Sequence, residues 1–411
     1  MRDESRSKID MAFAPRVREQ MKRPIYMPTK QELVGRAREI APMVATDAAK
    51  NEIAGQVSDR VIDAFCDAGF MKIFVPKIYG GYEMSPDVMV EVVKEISPYC
   101  TSTAWVLAFY IGHNFLHALF PQRSQEEAFA KRSFTLTPGT SAPAYKLTPV
   151  DGGYIARGKS SWNSGSAHGD WFMSGGMVEN AEKPEVLLFM TPAKDVQVLG
   201  NWDVQAMRAT SSGDIAINGA FVPHHHCVPA VDIVEGRSPG AKLHSNPLYS
   251  MPMLPLIQSE VLPCVVGAYQ GAVREFHKLT RHRISLHTSE KTSEKQAAQI
   301  RLGKALTGSA LADDMLRNYV DLVLNMDKDE IKTVEARAAI RARVASITDF
   351  CANGVNEVML GSGASAFRDD SPLQRIFRDL SMLRVHGFLD LETGSEALGR
   401  VSLGLPPQCV V

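Results

Sequence analysis

The chain has 411 residues, 45% hydrophobic and 22% charged, with 45 Lys and Arg against 46 Asp and Glu for a formal net charge of -1. That length exceeds what one hydrophobic core fills and implies two or three packed domains. The balanced charge excludes a global field that would recruit nucleic acid or an anionic membrane. Six cysteines (Cys66, Cys100, Cys227, Cys264, Cys351, Cys409) are scattered, with no CxxC pair and no Cys/His metal spacing, so they read as reduced, mostly buried thiols. Residues 1–21 are charged throughout, and no apolar stretch reaches the length of a membrane span. The expectation is a cytoplasmic enzyme or binding protein.

In chain order, residues 1–29 are mixed and basic and read as an arm or short leading helix. Thr29 is placed to cap a helix that carries Glu32, Leu33, Ala37, Ile40 and Ala41 at helical spacing. A second helix over 58–68 stops at Gly69. The turn-rich link Pro76 to Glu83 leads to a Ser85-Pro86 helix start, and apolar helical pattern continues through Trp105 and Phe120 to Phe129. Residues 30–132 are thus expected to form a helical domain. From Ser133 short apolar or β-branched runs replace it: Tyr154 to Ala156, Trp171 to Met173, Val186 to Met190, Asp214 to Ile217 and Phe221-Val222. Glycine turns such as Asp151-Gly152-Gly153 and Asn218-Gly219 separate them, which predicts a β-domain over 133–240. Helical pattern returns over 241–411. Leu262, Val265, Val266, Tyr269, Ala272, Val273 and Phe276 form one stripe of a long buried helix. Further helices are expected over 294–326, 333–359 and 372–388, making a four-helix bundle.

Helices, then a β-domain, then four long helices is the order of the acyl-CoA dehydrogenase fold, an α+β architecture. Gly69-Phe70 with Val75-Pro76 and Gly80-Gly81-Tyr82-Glu83, Met207-Arg208-Ala209-Thr210-Ser211-Ser212, and Phe221-Val222-Pro223 resemble that superfamily's segments in order. Within it, three stretches are similar to the two-component flavin-dependent monooxygenases of the 4-hydroxyphenylacetate hydroxylase type. They are Ser102-Thr103-Ala104-Trp105 with Gly112-His113-Asn114, then Ser164-Gly165-Ser166-Ala167-His168 with Asp170-Trp171, and Pro372-Leu373-Gln374-Arg375 through Arg378-Asp379 with Val385-His386-Gly387-Phe388. Lys159 stands where the family has tryptophan, with Trp162 shifted into the turn, and Gly169 replaces alanine.

The resemblance implies reduced FMN or FAD delivered by a separate NAD(P)H:flavin reductase, oxygenation of an aromatic or heteroaromatic molecule through a flavin C4a-hydroperoxide, and a homotetramer. It assigns Ser164 to the serine near flavin N5 and His386 to the active-site histidine. Trp162, Arg208, Ser211 and Ser212 are expected beside the flavin, and His113, Trp105, Phe109 and Trp162 beside the substrate. A hydroxyl can donate to or accept from N5, and a histidine titrating near neutrality could deprotonate a phenol or hold a peroxide. Plainer readings stand beside these: His386 as a histidine at a glycine break, Ser164 as a turn serine, His113 as core. Arg281 and Arg283 could clamp a flavin phosphate or form the solvated basic end of a helix. His224-His225-His226 lacks ligand spacing, so no metal is expected.

The rival activity is acyl-CoA dehydrogenation, which takes an α-proton with a carboxylate. Leu391-Glu392-Thr393-Gly394-Ser395-Glu396 superficially resembles the segment that supplies it, but alignment on Arg378-Asp379 puts His386-Gly387 in that slot. Gly361-Ser362-Gly363 lacks the third glycine and the strand-to-helix context of a dinucleotide fingerprint.

Overall fold

The structure, a computed structural model, describes residues 26–284 and 289–411; the arm expected over 1–29 lies outside the described residues up to position 25. Helices α1 (Lys30–Ala54), α2 (Asp59–Asp67), α3 (Pro86–Ile96), α4 (Thr101–Ala118) and α5 (Gln122–Phe129) come first. Thr29 caps α1 as its sequence requires: its hydroxyl accepts from the Glu32 amide (3.2 Å), and Glu32 returns to the Thr29 amide (2.6 Å). Gly69 follows α2 with φ +79°, and a Cβ there would stand 2.4 Å from the Tyr82 hydroxyl. The left-handed turn and the close approach therefore both need glycine.

Seven strands follow: β1 (Gly139–Val150), β2 (Gly153–Ser160), β3 (Trp171–Val178), β4 (Val186–Pro192), β5 (Gln197–Val198), β6 (Ile215–Pro223) and β7 (Cys227–Pro229). They form one sheet in the order β5-β6-β2-β1-β3-β4-β7. Only β1 and β3 run parallel; every other pair is antiparallel. The sequence pattern did not predict β1, although it is central. Pro143 sits where its register with β3 shifts, Pro149 stands one pair from the end of its ladder with β2, and only Tyr145 and Leu147 point into the sheet's own core. Bulges and strand ends are where proline is tolerated in a ladder.

Two short helices, α6 (Ala230–Val234) and α7 (Pro239–Leu243), lead to α8 (Met253–His282), α9 (Gln296–Asn325), α10 (Val334–Ser362), α11 (Pro372–Leu383) and α12 (Leu391–Ser402). The predicted stripe of α8 is buried along its length, each large side chain contributing about 1.5–3 kcal/mol of transfer free energy. The sequence pattern ends its last helix at Phe388. The structure closes it at Leu383, turns through His386, and adds α12, whose cap Asp390 accepts from the Thr393 amide (2.8 Å). One apolar core joins the N-terminal helices to the C-terminal bundle, and a separate cluster around Tyr145, Phe189 and Ile217 lies in the sheet. Among the described residues no helix is long and apolar enough to cross a membrane.

Thr29→Ala removes the cap of α1 and should cost about 1 kcal/mol. Urea denaturation should show a lower midpoint with an unchanged slope.

Candidate active site

A cavity of about 410 Å³ opens where α4, the sheet and the bundle meet, within the size range of small-molecule sites. Trp105 and Phe109 enter it from α4, Trp162 and Ser164 from the β2–β3 turn, and Trp202, Met207, Thr210 and Ser212 from the β5–β6 link. The bundle contributes Arg341, Met382 and the turn Val385 to Phe388. No carboxylate is among the lining residues.

Ser164 is held by its neighbours. Gly165 has φ +84°, its amide donates to the Thr210 carbonyl (2.7 Å), and its own carbonyl accepts from the Tyr110 hydroxyl (2.5 Å). The indole N–H of Trp105 donates to Ser164 Oγ at 3.1 Å. Ser164 Oγ lies 2.9 Å from Ser212 Oγ, which lies 2.6 Å from Thr210 Oγ1. Thr210 in turn donates to the Met207 carbonyl (2.7 Å). Because that carbonyl can only accept, the hydroxyl protons run from Ser164 to Ser212 to Thr210. One lone pair of Ser164 is filled by Trp105, which leaves the hydroxyl one further acceptor position.

The wall behind this chain is anchored by Asp379 of α11. Its carboxylate accepts from the Met207 amide (2.6 Å) and the Ser102 hydroxyl (3.3 Å), so two of the family-like stretches meet there. Burial raises its pKa to about 6, against the pull of that amide and of Arg375 and Arg378. Trp162 (φ +68°), Met207 (+52°) and Ser211 (+47°) all adopt left-handed backbone around this one cavity, three of the seven such non-glycine residues among those described. Backbone strain concentrates at functional sites.

His386 stands across the cavity from Ser164, with Trp105 between them: the two rings meet edge to face at 5.3 Å. The expectation that it titrates near neutrality is corrected. Withdrawal from water, then the Arg341 guanidinium, push the imidazole down to about 4. Its Nδ1 accepts from the Phe388 amide (3.3 Å), so the neutral ring carries its proton on Nε2. Arg341 holds the turn by donating to the carbonyls of Gly387 (2.5 Å) and Val410 (2.6 Å). No carboxylate lies within ion-pair distance of it among the described residues.

The structure therefore brings Ser164, Ser212, Trp105, Phe109, Trp162 and His386 together. It leaves other expected residues outside the lining. His113 is buried behind Phe109 with Nδ1 2.6 Å from the Thr137 carbonyl, the core reading. Arg208 spends its guanidinium on the Glu52 and Val204 carbonyls, and the Ser211 carbonyl accepts from Ser166. Arg281 and Arg283 sit at the end of α8, where Arg283 donates to the Ser362 carbonyl (2.7 Å). Glu392 and Glu396 lie on α12, and Glu260 is buried against Gly112; none lines the cavity. Sequence reasoning missed Trp202, Thr210, Arg341 and Phe388. Thr210 and Phe388 lay within quoted stretches, whereas Arg341 is a mid-helix arginine with no local signal.

Comparison with known proteins identifies the family. Residues 28–126 match the family "Acyl-CoA dehydrogenase, N-terminal domain", and residues 261–391 match "Acyl-CoA dehydrogenase, C-terminal domain". A pigment production hydroxylase of Rhodococcus sp. (strain ATCC 21145) is 40% identical over 92% of this chain and 98% of its own length. The oxygenase component of p-hydroxyphenylacetate 3-hydroxylase from Acinetobacter baumannii is 26% identical over 91% of this chain and 90% of its own. The chain belongs to the flavin-dependent monooxygenases of the acyl-CoA dehydrogenase superfamily. The crystal structure of the HsaA monooxygenase from M. tuberculosis superposes with a TM-score of 0.84 at 26% identity, covering 93% of this chain and 100% of that one.

The cavity fits a reduced flavin. It is apolar on most sides, and its buried hydroxyl edge ends in an acceptor suited to the N–H that a reduced isoalloxazine carries at N5. Gly165→Ala would put a Cβ 2.7 Å from the Tyr110 hydroxyl in a left-handed turn. That substitution should displace Ser164 and weaken reduced-flavin binding at least tenfold in anaerobic titration, with the far-ultraviolet dichroism unchanged.

Proposed function

We propose that this protein is the oxygenase component of a two-component system that inserts one oxygen atom into an aromatic or heteroaromatic small molecule. Reduced FMN or FAD, supplied by a separate NAD(P)H:flavin reductase, provides the electrons that activate dioxygen. The observation that carries the reading is the lining itself: an imidazole and a serine face one cavity joined by Trp105, and no carboxylate is present to take an α-proton from a thioester. Aromatic walls from Trp105, Phe109, Trp162, Trp202 and Phe388 suit a flat substrate. The name of the p-hydroxyphenylacetate hydroxylase relative points the same way.

Each residue has a distinct part. Ser164, with its proton committed to Ser212, accepts from the reduced cofactor at N5. His386, neutral with its proton on Nε2, donates into the cavity and holds the oxygen being transferred or the substrate's hydroxyl. Arg341 places a positive charge beside it with no carboxylate in the lining, which favours substrates that ionise to an anion. Trp162 and Trp202 meet edge to face at 5.4 Å and screen the opening from water. Placement in the cytoplasm and a homotetramer complete the proposal. Ile300, Leu306 and Leu311 of α9 and Phe350 and Leu360 of α10 are exposed apolar residues suited to a subunit interface, and light scattering should report the mass of four chains.

Purified protein given a generic flavin reductase, NADH, air and an aromatic panel should yield products one oxygen atom heavier by mass spectrometry. Acyl-CoA-dependent flavin bleaching would overturn the assignment. His386→Ala should lower product formation by about 10²–10⁴-fold while reduced flavin still binds. Because His386 is depressed from 6.5 to about 4, it stays neutral in the fold across that window. The turnover profile should therefore lack an acid limb near 6.5, and the stability it contributes should fall as pH drops from 6.5 toward 4. Ser212→Ala frees the Ser164 proton, so affinity for oxidised flavin should rise relative to reduced flavin in paired titrations; an unchanged ratio would remove the hydroxyl chain from cofactor selection.

A further inference from the structure

Away from the cavity, the three histidines between β6 and β7 form a tight turn rather than a strand, with the Cys227 amide donating to the His224 carbonyl. Neighbouring side chains on a strand diverge, but in this turn the rings of His225 and His226 lie side by side, centroids 4.3 Å apart and tilted by 47°. Both Nε2 atoms converge on Glu127 of α5: His225 lies 3.1 Å from one carboxylate oxygen and His226 3.0 Å from the other. The three donor atoms all lie within 4.8 Å of one another.

We propose that Glu127, His225 and His226 form a binding site for a divalent transition-metal ion of the zinc type, which clasps the end of the sheet to the N-terminal helices. Metal–ligand bonds of about 2.0–2.1 Å in tetrahedral geometry place donors about 3.3 Å apart, so the observed separations need only small rotamer adjustments. Two imidazoles and one carboxylate are a donor set that zinc accepts, with water completing the shell. The half-exposed Glu127 carboxylate leaves that side open to solvent.

The surroundings hold the ligands in pose. Ser124, one turn before Glu127 on α5, lies 2.7 Å from Nδ1 of His226. The Trp171 ring flanks the same imidazole at 5.3 Å. A hydroxyl on the far nitrogen is the arrangement that orients a metal-bound histidine, because its oxygen can accept from the Nδ1–H that the ring carries when Nε2 binds the metal. Arg123 shares the carboxylate at 3.1 Å but is largely exposed and free to swing away. His117, the other titratable group beside His226, is buried and neutral. None of the three ligands lines the flavin cavity, so the site is separate from the oxygenation chemistry.

The test uses the full-length, tag-free protein stripped with chelator and titrated with Zn2+ in a calorimeter and with Co2+ in a spectrophotometer. One ion per chain should bind with micromolar or tighter affinity, raise the melting temperature, and give Co2+ ligand-field bands without thiolate charge transfer. Glu127→Gln and His225→Ala should each lower affinity at least tenfold, and Ser124→Ala by about 10–100-fold. His225→Ala should leave oxygenation of the aromatic substrate unchanged. No binding at submillimolar Zn2+, a thiolate band, or affinity unaltered in the Glu127→Gln/His225→Ala double variant would overturn the site. The proposed oxygenase activity stands or falls independently.

Discussion

The hydrogen bond from the Trp105 indole to Ser164 is the contact on which the rest of the site turns. Every residue of α4 except Phe109 is buried, so this helix has no solvent face, and four of its polar side chains are paired inside the protein. Ser102 reaches Asp379 of the bundle, Trp105 reaches Ser164, Tyr110 reaches Gly165, and Asn114 bonds to both backbone groups of Thr135. Those partners belong to the sheet, the bundle and the strand approach. Moving α4 would strand several buried donors at once, at about 1–3 kcal/mol each. The cavity geometry is thereby set by polar satisfaction, not by the apolar core alone.

The polar groups are sorted by origin. Hydroxyls come from the sheet side, the imidazole and the guanidinium from the bundle side, and α4 supplies the ring between them. The absence of a carboxylate has two consequences. No carboxylate base is there to remove a carbon-bound proton, and none there pairs with Arg341, which adds to the withdrawal from water that keeps His386 unprotonated. A dehydrogenase on this fold needs a negative base at its reaction centre. Here the same volume carries a positive bias and a neutral donor, which suits the handling of negatively charged oxygen.

Much of the fold was legible because its signals are local. Thr29 with Glu32, Gly69 after α2, Ser85-Pro86 and the α8 stripe each act within a few residues. Strand β1 was not legible, since two prolines mask a strand whose pairing is decided by partners elsewhere. The end of α11 at Leu383 was missed for a related reason: Arg341, from a different helix, holds the following turn. Ser164 and His386 could be named from short stretches, but not the protonation that makes each useful. The direction of the hydroxyl chain depends on the Met207 carbonyl, and the tautomer of His386 on the Phe388 amide. Likewise the histidine run looked unsuited to a shared ligand until a turn and a carboxylate 98 residues away brought the rings together.

The cavity borders the main apolar core, which gives it Trp105, Met207 and Leu383, and its walls differ in how firmly they are held. Ser164, Thr210 and Ser212 are buried and joined in one chain of hydrogen bonds, so a change at any of them propagates to the others. Trp162 and Val385 also line the cavity, yet they are 61% and 71% exposed. Substitutions at such exposed positions usually alter stability by less than about 0.5 kcal/mol. The buried hydroxyl edge is thus constrained by the fold, whereas the exposed rim is nearly free of it. That separation lets residues at the mouth change while the buried hydroxyl edge is kept.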